Sequence, residues 1–349
     1  MAYEALGGPA TYCVGMARSH LTLAALATSA VAELDLVATS TFGSSGSDSE
    51  FDAALLTGRD GRHWIIRVPR HQRAETQQSA DLVALRALSQ GIRTRLPFSV
   101  SSFVGQTPVT NTRAIVYEFV YGTKVGLGDI DATDGGLATS IGDAIAAIHN
   151  LPTSFVADAG LPVLGPLECL RSAVTVLDRA AATGLVPTTL LSRWESATED
   201  AKLWQFQPTV INNDLSAESF LSADHKVTGL LGWHELRVGD PARDLAWLLG
   251  ASDAQIAEAA FAGYNARRGS VDRQVRQRAA LYAELEVAKW LLHGTETRST
   301  DIVDDAVEML SGLVDDVQSD LTNTVGAQTM PTMAVDEVEA YLDRNQRAV

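Results

Sequence analysis

Apolar positions along the chain change period part-way, and that change organises the reading. Leucines at 21, 23 and 26 with Ser19 before them predict a first, amphipathic helix capped by that serine. Thr41-Phe-Gly-Ser-Ser-Gly-Ser-Asp-Ser reads as a Gly/Ser loop. It is followed by two apolar runs, Phe51–Leu56 and Trp64–Val68, around the turn residues Arg59-Asp60-Gly61. An Asp-Gly between such runs predicts a hairpin. Helical spacing returns over 71–89, with Leu82, Leu85 and Leu88 on one face, and two more strands are predicted at Phe98–Val104 and Ala114–Val120. From about 135 the pattern is mainly helical: 135–150, 166–183, 187–203, 241–250, 253–267, 270–293 and 301–319. Only Thr209-Val-Ile-Asn and Val227-Thr-Gly-Leu-Leu interrupt it with strand-like runs. The expected class is α+β, a β-rich N-terminal lobe followed by a mainly helical one.

A chain of 349 residues has room for two unequal lobes. At 46% hydrophobic and 20% charged residues, it has an ordinary globular composition. Its 27 basic residues include only four lysines (Lys124, Lys202, Lys226, Lys289), the skew of a high-GC, bacterial coding sequence. The net charge of −16 concentrates beyond residue 300, where eleven acids face two arginines. Such a balance argues against a nucleic-acid partner, which needs clustered Lys and Arg. The acidic end is expected to be a solvated helix face, with a cationic ligand as the sharper alternative. Cys13 and Cys169 have no disulfide or zinc spacing. No apolar run reaches membrane-spanning length. The stretch from Met16 to Ala32 imitates a signal peptide, but its Thr22, Thr28 and Ser29 fit the capped helix better, which places the chain in the cytoplasm. Residues 1–15 read as an extension ahead of that helix.

Candidate chemistry lies in Val210-Ile-Asn-Asn-Asp-Leu-Ser-Ala-Glu-Ser-Phe-Leu221 and in Val227–Ala246, a strand, polar loop, hairpin and closing loop. Asp240, before Pro241, suits a helix cap, and Asp244 also reads as structural. Asp214 is different: a carboxylate among Asn212, Asn213 and Ser216 with no core role is a candidate general base.

These segments resemble the aminoglycoside/macrolide phosphotransferase family, whose catalytic loop reads His-Gly-Asp-Leu-His-Pro-Gly-Asn and whose metal segment reads Ile-Asp-Trp. Arg237-Val-Gly-Asp-Pro-Ala-Arg-Asp-Leu-Ala246 is especially similar to the macrolide branch. The resemblance runs through roughly residues 16–320 and implies a two-lobed, protein-kinase-like fold. Its lobes would be 16–121 (nucleotide) and 122–323 (helical, catalytic), with an acidic tail at 324–349. It implies Arg67 as the phosphate contact and Asp81, fourteen residues on, in place of the family's helix glutamate. Glu118, Phe119 and Val120 correspond to the hinge that binds the base of ATP or GTP. Ile148-His149-Asn150-Leu151-Pro152 also matches, with His149 read as helix-end packing.

Departures from the family pattern matter more. Asp214 keeps the position of the base, but Asn212 and Asn213 replace the loop's His and Gly. Ser219 stands where the family's metal-binding Asn belongs, and Gly232 where its metal-binding Asp belongs. Kinase-like transfer depends on metal held by that pair, so magnesium loses its expected ligands here. Glu235 is the candidate substitute. The resemblance therefore implies transfer of a nucleotide γ-phosphate to a small-molecule hydroxyl, cationic or macrolide-like, that is impaired or lost. Two other readings remain: a pseudokinase that binds ligand without catalysis, and an interaction protein that has lost the pocket.

Overall fold

In the computed structural model the described residues are 17–43, 49–133, 135–251, 253–269 and 272–323. The extension 1–15, Cys13, most of the Gly/Ser loop and the tail 324–349 lie outside them.

Helix α1 (His20–Ala30) begins where Ser19 Oγ accepts the Thr22 N–H at 3.2 Å. Strands β1 (Leu36–Thr41), β2 (Phe51–Gly58) and β3 (His63–Pro69) precede α2 (Gln72–Ala87) and the single turn α3 (Gln90–Arg93). β4 (Ser99–Val100), β5 (Phe103–Val109), β6 (Thr112–Glu118) and β7 (Thr123–Lys124) follow. Five strands form an antiparallel sheet in the order β1-β2-β3-β6-β5. β2, and β3 as far as Val68, alternate between buried and half-buried positions. Ala54, Leu56, Trp64, Ile66, Val68, Ala114 and Val116 on one face pack against Leu23 and Ala27 of α1. Each fully buried large aliphatic side chain contributes about 1.5–3 kcal/mol, so this face holds the region together. Gly61, at φ +79°, makes the predicted turn, in which Asp60 Oδ1 accepts the Arg62 N–H at 3.0 Å.

The expected strand Phe98–Val104 is in fact two. Ser99–Val100 runs parallel to a later strand, and Phe103 onward pairs with β6. The break is held by Arg93, whose guanidinium donates to the carbonyls of Leu85 (2.9 Å), Leu88 (2.6 Å), Val100 (2.7 Å) and Ser101 (3.0 Å) and to Ser102 Oγ (3.1 Å).

Beyond β7 come α4 (Leu137–His149), α5 (Ser154–Asp158), α6 (Pro166–Ala181) and α7 (Thr188–Glu199). Then follow β8 (Thr209–Ile211), β9 (Phe220–Ala223), β10 (Lys226–Leu230), β11 (Arg237–Gly239) and the one-turn helix α8 (Ala242–Leu245). α9 (Ala254–Arg268), α10 (Val275–Thr297) and α11 (Thr300–Asn323) complete the described chain. β8 pairs with β11, and β9 with β10, so the segments predicted to carry chemistry enter and leave on neighbouring strands.

Contacts divide the chain into two compact units. One holds the described residues up to Arg171 with Ala201–Ala283, and therefore both the sheet and the candidate site. At its core Asp240 is fully buried: it accepts the Ala242 N–H at 2.9 Å, as the predicted cap, and also two N–H groups of Arg278 at 2.8 and 3.0 Å. The other unit holds Ser172–Asp200 and the described residues from Glu284 on. There Glu284 accepts from the buried Trp194 Nε1 at 2.7 Å and from Arg193 at 3.0 Å. No helix among the described residues is long and apolar enough to cross a membrane.

Candidate active site

The loop after β8 is fastened from behind by Asp244. Its Oδ1 accepts the Asn213 N–H at 2.7 Å, and its Oδ2 accepts the Asn212 N–H at 2.8 Å. Oδ2 also lies 3.1 Å from His149 Nε2, and His149 Nδ1 is 3.0 Å from the Tyr264 hydroxyl. Burial lowers the His149 pKa, against the pull of Asp244. A neutral imidazole satisfies every partner: Nε2–H donates to Asp244 and Nδ1 accepts from Tyr264. His149 is thus packing at a helix end, as expected, but packing that reaches the loop after β8.

Asn212, fully buried, ties two segments together. Its Oδ1 accepts the Asp214 N–H at 3.2 Å, and its Nδ2 donates to the Gly232 carbonyl at 2.7 Å. Asn213 sits at φ +71°, a left-handed conformation that asparagine tolerates better than most residues. The chain turns there, and the Asp214 carboxylate projects outward with 59% of its side chain exposed. Its Oδ2 lies 3.3 Å from Nε2 of His234, a side chain only 17% exposed.

Helix α2 grips the second segment with two residues one turn apart. Asp81 Oδ1 accepts the Trp233 N–H at 2.7 Å, and the Gln77 amide lies 3.3 Å from His234 Nε2. One ring nitrogen cannot donate to Asp214 and accept from Gln77 together. With the Gln77 amide turned so that its oxygen faces the ring, a protonated Nε2 serves both. Burial raises the Asp81 pKa, partly offset by the Trp233 N–H and by the charges of Arg67 and His234. Arg67 stacks over the Phe51 ring at 5.7 Å. Among the described residues it makes no ion pair with Asp81. The carboxylate reaches the Trp233 backbone instead, in keeping with a side chain one methylene shorter than glutamate.

At the hinge, the Glu118 N–H donates to Ser102 O at 2.9 Å and the Phe119 N–H to His63 O at 3.1 Å. The Glu118 carboxylate faces Arg62 at 2.8 Å. Val120 is buried beside them.

The two positions that would hold a metal contribute little to one. Ser219 Oγ accepts the Ser216 N–H at 3.1 Å within its own turn. Gly232 is exposed, at φ +72°, with open space where a Cβ would point. Glu235 is ion-paired with Arg237, two residues along. Among the described residues no group of three His, Cys, Asp or Glu side chains is placed to hold a metal ion. This donor set does not match the oxygen-rich shell that Mg²⁺ requires.

Asp214, Arg67, Asp81, Ser219 and Gly232 stood out in the sequence as candidates. The parts played by Gln77 and Asp244 did not.

The chain is similar in sequence to the uncharacterized protein YcbJ of Bacillus subtilis (strain 168), 26% identical over 208 residues; the match covers 56% of this chain and 65% of that protein. Its fold is that of macrolide 2'-phosphotransferase MphH from Brachybacterium faecium in the apoenzyme form, with TM-score 0.68, 21% identity, and 84% of this chain and 98% of that one covered. The GDP complex of aminoglycoside 2'-phosphotransferase-IIIa is similar too, with TM-score 0.67, 19% identity, and 84% and 98% covered. The profile of the phosphotransferase enzyme family (APH) matches residues 44–291, more than half of the chain, which therefore belongs to that family.

Proposed function

We propose that this chain binds a nucleoside triphosphate, ATP or GTP, in the cytoplasm, and that its transfer of the γ-phosphate to a small-molecule hydroxyl is impaired or lost. The observation that carries this reading is a contrast: an outward-facing Asp214 on a firmly held loop, together with Ser219 and Gly232, whose side chains offer no carboxylate or amide oxygen. Nucleotide binding is supported by Arg67 and by the hinge. There the sheet takes the N–H groups of Glu118 and Phe119, while that of Val120 meets no backbone carbonyl among the described residues and is offered to the base. Fold similarity to an enzyme solved with GDP is in keeping with this. Asp214 would accept the proton of the acceptor hydroxyl. With two metal ligands absent, the charge developing on the phosphoryl group lacks its main stabiliser, and removing even one such group commonly costs on the order of 10²–10³ in rate.

The test compares labelled phosphate transfer to aminoglycoside and macrolide acceptors by the native chain, by Ser219→Asn with Gly232→Asp, and by that double variant with Asp214→Ala. Gain of transfer in the double variant, lost again with Asp214→Ala, is expected. Robust transfer by the native chain that needs Asp214 would overturn the reading and direct attention to Glu235.

A further inference from the structure

His234 has no counterpart among the groups that the family resemblance assigns, yet it occupies a central place in this site. Its Nε2 is 3.3 Å from the Asp214 carboxylate and 3.3 Å from the Gln77 amide. The Gly232–Trp233 peptide just ahead of it is held at both polar atoms, Trp233 N–H by Asp81 and Gly232 O by Asn212. With two side chains at Nε2 and two bonds on that peptide, all from two other segments, the ring does not swing as a surface histidine would. Arg67, half-buried on β3 and stacked over the Phe51 ring, is near enough to Asp81 for its charge to oppose the burial of that carboxylate. Two donors thus come from two elements, Arg67 from the sheet and His234 from the segment after β10, toward Asp81 and Asp214.

We propose that His234 is a phosphate-binding residue: its Nε2–H, with Arg67, holds the polyphosphate of the nucleotide without a metal ion, at the segment where relatives place a metal ligand. The proposal rests on the nucleotide-binding reading above. Imidazole donates one hydrogen bond from Nε2 in the tautomer assigned here, so the contact needs no change in charge state. An incoming phosphate oxygen takes the place of the Asp214 carboxylate beside Nε2–H without the ring turning, and that carboxylate is left to the acceptor hydroxyl. Phosphate binding and availability of the base are coupled through one ring.

The experiment is calorimetric titration in EDTA with ATP and adenosine, and with GTP and guanosine, on the full chain and on His234→Ala and His234→Arg. Triphosphate binding without magnesium is expected for the native chain. His234→Ala should weaken it at least about tenfold, as loss of a hydrogen bond to a charged phosphate does. Nucleoside binding should stay unchanged, which separates a phosphate contact from a collapsed site, and His234→Arg should restore most of the affinity. Equal losses for triphosphate and nucleoside, or no loss for either, would overturn the role of His234 while leaving nucleotide binding in place. A native chain that binds neither triphosphate would overturn both readings.

Discussion

The back of the loop after β8 and its front follow opposite rules. Behind, Asp244, His149 and Tyr264 form a buried chain in which each polar atom meets a partner, and Asp244 alone satisfies two loop N–H groups. In front, Ser219 bonds within its own turn, Gly232 has no side chain, and Glu235 is engaged by Arg237. Buried polar groups are costly to leave unmatched, whereas exposed positions tolerate replacement. The difference teaches that Asn212 and Asn213 are held by buried groups behind the loop and not by the side chains at 219 and 232. Asp214 can keep its pose while the side chains at those two positions vary.

The largest effect should follow from breaking the back. Asp244→Ala strands the buried N–H of Asn212, the part-buried N–H of Asn213 and the His149 N–H, each worth about 1–3 kcal/mol. The expected loss of unfolding free energy is at least about 3 kcal/mol by denaturant titration. A loss below about 1 kcal/mol would mean that the loop is held by something other than this carboxylate.

A second, smaller effect comes from pH. Burial lowers the folded-state pKa of His149, so below the unfolded value of about 6.5 the unfolded chain takes up a proton that the folded chain refuses. This contribution is intact at neutral pH and is lost as pH falls through the window beneath that value, at no more than about 1.4 kcal/mol per unit. Asp81, whose pKa is raised, acts with the opposite sign above the ordinary carboxylate range and is common to the native chain and a His149 variant. The measurement is therefore the difference between the native chain and His149→Gln over pH 7 to 5. A native stability that falls no faster than the variant's would show that His149 is charged in the fold.

How much of this was legible depended on the range of each interaction. The hairpin at Asp60-Gly61, the cap at Ser19 and the burial of Leu82, Leu85 and Leu88 are decided within a few residues, and the local pattern carried them. β1 gave no signal because Leu36–Thr41 lies at the sheet edge, with four of its six positions exposed and no alternation to read. The split of 98–104 depends on Arg93 reaching back across the chain, which spacing does not reveal. Asp214, Ser219 and Gly232 stood out through motif resemblance. Asp244 looked like an ordinary acid in a first helical turn, because its bonds to Asn212 and Asn213 span more than thirty residues. Gln77 was one polar residue on a polar helix face until His234 was placed against it.

The smallest effect probes the front. Gly232 has φ +72°, where a residue with a Cβ is strained by roughly 1–2 kcal/mol, but nothing lies within 4 Å of the place a Cβ would take. Part of that strain is offset because alanine reduces the freedom of the unfolded chain by about 0.4–1 kcal/mol. Gly232→Ala should therefore cost only about 1 kcal/mol, and Gly232→Asp no more, since aspartate enters the left-handed region more readily than alanine. The Gly232 carbonyl keeps its bond to Asn212 in both, so the Asp214 N–H contact made by the same side chain should persist. Denaturant titration of the two variants checks the values. A cost of 3 kcal/mol or more at this open position would mean that the front of the loop is as tightly built as the back, and the contrast between them would fail.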